Sequence, residues 1–134
     1  MDKFCETPTD WLSRAKSNLL RGKQYNPAEK EIYIEDFCFD LQQCVEKSLK
    51  AVLLSCGIDF PKTHDIACLI TLIKNRTTVE VPENIEISKK LTGLFPMQTR
   101  YPCPSTIEID DYNETVEIAE NVYNWAKNIV ETGN

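Results

Sequence analysis

The segment from Pro27 or Ile32 to Cys56 constrains the fold more than any other part of the chain. Apolar residues fall at Ile34, Phe37, Cys38, Leu41, Cys44, Val45, Leu49, Val52, Leu53 and Cys56, and Gly57 follows. Steps of three and four place them on one wide stripe of a single helix, and a glycine is a natural stop. A helix with one apolar stripe is marginal alone in water. The stripe therefore requires other helices to cover it.

The rest of the sequence supplies them. Thr7, Pro8 and Asp10 give a cap hydroxyl, a first-turn proline and an early carboxylate, and Trp11, Leu12, Ala15 and Leu19 follow on one face. This predicts a first helix over residues 7 to 21, with Gly22 as terminator. Thr63 is a candidate cap for a third helix bearing Ile66, Leu69, Ile70 and Ile73. Residues 75 to 82 read as a loop. Glu83 to Leu94 reads as a weaker fourth helix with Ile87, Leu91 and Leu94 in phase. Pro96, Pro102 and Pro104 exclude regular helix from residues 95 to 110. A last helix is expected over Tyr112 to Val130, with Val116, Ala119, Val122, Tyr123, Ala126, Ile129 and Val130 facing inward. No strand-like alternation competes, so the expected fold is all-α: an antiparallel up-and-down bundle of four to five helices. Residues 1 to 134 form one domain in this reading.

Charge narrows the function classes. The chain carries 15 basic and 21 acidic residues, a net of −6. The imbalance is local: residues 105 to 134 hold seven acids against Lys127, so the preceding part is neutral, with 14 of each sign. Any anion-binding surface should avoid the final helix, and a DNA duplex is not an expected partner. No apolar run approaches the ~18 residues that span a bilayer, and the first residues lack a basic-then-apolar leader pattern. The expectation is a cytoplasmic protein with no membrane association.

Six cysteines, at positions 5, 38, 44, 56, 68 and 103, contain no Cys-x-x-Cys pair, and one histidine does not complete a usual zinc set. Cys38, Cys44 and Cys56 lie on the long stripe and read as buried, reduced thiols. No Gly-rich phosphate loop, paired metal-ligating aspartates or nucleophile elbow occurs, so neither cofactor nor metal is implied. The polar candidates are few. His64 is the only imidazole. Glu46 and Lys50 stand four apart in the order that favours a surface ion pair worth a few tenths of a kcal/mol, with Lys47 beside them. Arg100 lies between Pro96 and Pro102, where a stiffened guanidinium suits a phosphate or carboxylate, and Tyr101 adds a hydroxyl or a stacking face.

Three blocks of sequence together resemble the HEPN domain family (higher eukaryotes and prokaryotes nucleotide-binding). They are Asp10-Trp11-Leu12 with Ala15; Gln43 and Glu46 to Ala51 with Gly57 and Phe60 to Ile66; and Thr99-Arg100-Tyr101-Pro102. The resemblance implies a four- or five-helix bundle, usually a homodimer. It also implies a frequent pairing with a small nucleotidyltransferase in toxin–antitoxin or related modules. Many members are metal-independent ribonucleases with a histidine four to six residues after an arginine. Here Tyr101, Pro102, Cys103, Pro104, Ser105 and Thr106 follow Arg100, and none of the other arginines has such a histidine.

That departure favours a noncatalytic module over an enzyme. Arg100, Tyr101, Lys47, Lys50 and His64 are its candidate ligand-binding residues, for a nucleotide or for a nucleotidyltransferase partner. The alternative is a divergent ribonuclease in which Arg100 and His64 meet, His64 supplying the group that titrates near neutrality. Two further readings are a scaffold that binds only protein and a Tyr101 nucleotidylated by a partner.

Overall fold

The computed structural model describes residues 7 to 92 and 107 to 132. Among them are five α-helices and no strand: α1 (Pro8–Gly22), α2 (Ile34–Ser55), α3 (Ile66–Arg76), the single turn α4 (Glu83–Glu86) and α5 (Ile109–Glu131). A 3-10 segment, Ile87–Leu91, continues α4. The all-α bundle expected from periodicity is the fold observed. The segment expected to lack regular helix lies mostly outside the described residues, as do Leu94, Arg100, Tyr101, Cys5 and Cys103.

α2 is the centre of the bundle, packed against α1, α3 and α5. Most of its stripe is sealed: Cys38, Leu41, Cys44, Val45, Leu49, Val52 and Leu53 are all fully buried, whereas Ile34 and Phe37 near its start are half-buried. Burial pushes the Cys38 and Cys44 thiols up to about 12, because a thiolate there would lose its hydration. Cys56, expected to be buried with them, is partly exposed because it caps the helix end. The four described cysteines are free thiols. Gly57 then adopts φ +75°, a conformation that favours glycine. Its N–H donates to Leu54 O and that of Ile58 to Leu53 O, each at 3.0 Å, the paired bonds of a Schellman stop.

Start and stop signals elsewhere match the helix ends only in part. α1 opens on a capping box, in which Thr7 Oγ1 accepts from Asp10 N at 3.0 Å and the Asp10 carboxylate accepts from Thr7 N at 3.3 Å. Gly22, expected to end that helix by its conformation, is instead its last buried residue. A Cβ there would sit 2.6 Å from Leu41 Cγ and Cδ2, so glycine is needed for close approach to α2. Asp65, not Thr63, caps α3, accepting from Cys68 N at 3.2 Å, while Thr63 Oγ1, two residues earlier, accepts from Asp65 N at 3.0 Å. The fourth helix departs most from expectation. Its buried positions are Ile85, Ser88 and Leu91, with Ile87 exposed. That spacing of three is the 3-10 repeat, not the α-helical one.

α5 begins three residues before the expected Tyr112. Glu108 N donates to the Asp111 carboxylate at 3.0 Å and holds the start. Ala119, Val122, Tyr123 and Ala126 are buried as expected, joined by Tyr112, Thr115 and Ile118, whereas Val116, Ile129 and Val130 are half-buried. The Tyr112 hydroxyl donates to Gly22 O at 2.7 Å and so satisfies a carbonyl at the end of α1. No described helix is long and apolar enough to cross a membrane.

Candidate functional site

α1 and α2 run antiparallel, and their outer seam is polar. At one end Arg21 forms a 2.6 Å ion pair with Asp40. Asn18, itself buried, donates to Asp40 Oδ1 at 2.8 Å and accepts from Lys47 Nζ at 2.9 Å. Beyond Lys47 the seam reaches Glu46, Lys50 and the connector that carries Phe60 and His64.

Glu46 is the hub. Its carboxylate is 2% exposed and accepts from three groups: Lys50 Nζ at 3.0 Å, Gln43 Nε2 at 3.1 Å, and His64 Nδ1 at 3.0 and 3.2 Å. Sequence reasoning expects Glu46 and Lys50 to form a surface pair. The pair forms, but Lys50 is only 8% exposed through its side chain, because the connector folds back over it. The Lys50 ammonium lies 5.4 Å from the Trp11 ring centre and 5.5 Å from that of Phe60, and those two rings meet edge to face. An ammonium between aromatic faces and against a carboxylate recovers part of the stabilisation that it loses with its hydration shell.

His64 is different. Its side chain is 62% exposed although Nδ1 is held by the buried Glu46. A carboxylate only accepts, so Nδ1 carries the hydrogen of this bond, and in the neutral ring the lone pair belongs to Nε2. The imidazole is therefore oriented from behind and open in front. A histidine held in this way by a carboxylate can accept a hydrogen bond or a proton from a bound molecule.

Of the five residues that the sequence singled out, the structure gathers Lys47, Lys50 and His64 along one seam. Lys50 supports Glu46 from inside, and Lys47 spans from α2 to Asn18. Arg100 and Tyr101 lie outside the described residues. Sequence reasoning missed the hub role of Glu46, together with Trp11, Asn18 and Phe60. A signal was present: Gln42, Glu46 and Lys50 form a polar row at steps of four along the edge of the apolar stripe. Such a row is buried wherever a neighbouring segment crosses it. Among the described residues no cluster of three or more His, Cys, Asp or Glu side chains is arranged to hold a metal.

A helical bundle organised around one long buried helix, with an exposed histidine pinned to that helix by a buried carboxylate, defines the class of this domain. The family is equally plain. The HEPN domain family model matches residues 9–129, and the chain belongs to that family. A similar solved structure is that of ST0689, an archaeal HEPN homologue. It superposes with a TM-score of 0.68 at 24% identity, covering 92% of this chain and 98% of the other, a likeness of fold. No curated protein shows significant similarity to the chain.

Proposed function

We propose that the chain is a noncatalytic HEPN module that binds a nucleotide on the α1–α2 seam, with His64 as a hydrogen-bonding contact and Lys47 as a cationic one. One observation carries the reading: a buried carboxylate, Glu46, itself paired with the buried Lys50, holds by Nδ1 an imidazole whose side chain is 62% exposed. In this reading Arg100 and Tyr101 complete the site as phosphate and stacking contacts. The module works as a homodimer, and its protein partner is a small nucleotidyltransferase, as in toxin–antitoxin pairs of the family.

Calorimetry of the full chain with AMP, ADP and GDP tests this. The wild type binds at least one of them, and His64→Gln and Arg100→Ala each weaken that binding about tenfold, the loss of one charge-assisted or ligand hydrogen bond. No binding by the wild type, or unchanged binding in both variants, refutes it.

A second reading has a specific observation in its favour. A carboxylate behind a histidine is the arrangement of a general base with its orienting group, and the family resemblance includes ribonucleases. In that version Arg100 and His64 flank a phosphodiester. Loss of RNA cleavage in His64→Ala would support it; equal rates in wild type and variant would remove it.

A further inference from the structure

We infer that Arg14, which neither the sequence motifs nor the family resemblance singles out, binds a phosphoryl group of the ligand on this seam. The inference rests on the nucleotide-binding reading above and names the part of the nucleotide that α1 contacts.

The register of the two helices places it. Trp11 lies against Lys50 and Arg21 against Asp40. Three residues along α1 from Trp11 is Arg14, and three residues back along α2 from Lys50 is Lys47. In an antiparallel pair these steps keep level, so Arg14 stands opposite Lys47 and one residue from the level of Glu46, which holds His64. Arg14 also shares the outer flank of α1 with Trp11, Asn18 and Arg21, all at steps of three and four.

Its state fits an anion contact. Arg14 is exposed, and among the described residues no hydrogen bond or ion pair engages it. The acid one turn earlier, Asp10, is engaged at the helix cap, accepting from Thr7 N. Nearby charges are largely matched: Asp40 with Arg21, and Glu46 with Lys50. The acids of α5 lie elsewhere. α5 meets α1 through Lys23, which pairs with Glu120, and Tyr123 faces Lys16. At 100° per residue, Lys16 and Lys23 project roughly 160–180° around α1 from Arg14. The guanidinium thus stands clear of the acidic helix, as charge placement in the sequence requires of any anion-binding surface. Its planar fork of donors suits two phosphoryl oxygens at once.

Titration of the full chain with ADP and with inorganic pyrophosphate, at two salt concentrations, tests the inference. Arg14→Met is expected to weaken both at least tenfold and to flatten the salt dependence of ADP binding. Its unfolding midpoint should stay at the wild-type value, because the side chain has no partner to lose among the described residues. Arg14→Lys should fall between the two. Arg76→Met should bind as wild type does, since Arg76 ends α3, about 15 Å along that helix from its His64 end. Wild-type affinity in Arg14→Met overturns the inference, and if His64→Gln has meanwhile lost binding, the seam remains the site without Arg14. Failure of the wild type to bind either ADP or pyrophosphate overturns the inference, and failure to bind AMP, ADP and GDP alike overturns the nucleotide-binding reading with it.

Discussion

Replacing Lys50 by methionine separates a buried ion pair from a surface one. The ammonium lies 3.0 Å from Glu46 Oε2, with side-chain exposures of 8% and 2%, so water replaces little of what is removed. A hydrogen bond between charged groups contributes about 1.5–3 kcal/mol, and a desolvated cation over aromatic rings up to about 2 kcal/mol. Breaking a buried pair by removing one partner costs about 3–5 kcal/mol, mostly from the charge left behind. Methionine offsets part of this by keeping a flexible apolar stem and a sulfur against Trp11 and Phe60, and Glu46 keeps Gln43 and His64. The expected net loss is about 3 kcal/mol, which for a chain of this length lowers Tm by roughly 10 °C. Urea denaturation followed by circular dichroism, with slope unchanged, measures it. The double variant Glu46→Leu/Lys50→Met should recover most of the loss, because no lone charge remains. A Lys50→Met change within about 0.5 kcal/mol, the scale of exposed pairs, would refute the reasoning that the connector seals this cluster.

Two other outcomes follow from features of the core. Gly22→Ala gains about 1 kcal/mol of helix propensity but drives a methyl to 2.6 Å from Leu41 and 3.1 Å from Phe37 O. Overpacking of about 1–3 kcal/mol should prevail, and chemical denaturation would show a less stable protein. The raised thiols of Cys38 and Cys44 set a sign for alkaline pH. The unfolded chain releases these protons near pH 9 while the folded chain retains them to about 12. Stability contributed by the two thiols is therefore present below pH 9 and lost progressively between 9 and 12. Denaturation midpoints across that range should fall less steeply in a Cys38→Ala/Cys44→Ala variant, and an equal slope would contradict the assignment.

The helices were legible because their cause is local. The α2 stripe, the Thr7–Asp10 cap and the Gly57 stop each depend on residues within a turn or two of one another. Gly22 shows where locality fails: the same residue type that ends helices is here demanded by Leu41 on another helix, and no spacing within α1 reveals that. The 3-10 segment was missed for a related reason. Ile87, Leu91 and Leu94 satisfy an α-helical count, but the core lies on the side of Ile85, Ser88 and Leu91. At the candidate site, His64 and Lys47 could be named as residue types, whereas the burial of Glu46 depends on where residues 57 to 65 cross α2. Sequence spacing contains the pair but not its cover.

One helix has two duties, with consequences for how such a domain can change. α2 supplies most of the buried contacts of the bundle, and the same helix anchors Gln43, Glu46, Lys47 and Lys50. In the proposed role, substitutions there would alter recognition and folding stability together. Arg14 on the flank of α1 and His64 on the connector are exposed and carry less of that load. Under the proposed nucleotide-binding role, new ligand preferences in descendants of this chain should therefore arise by exchange at those exposed positions while the central rod stays as it is.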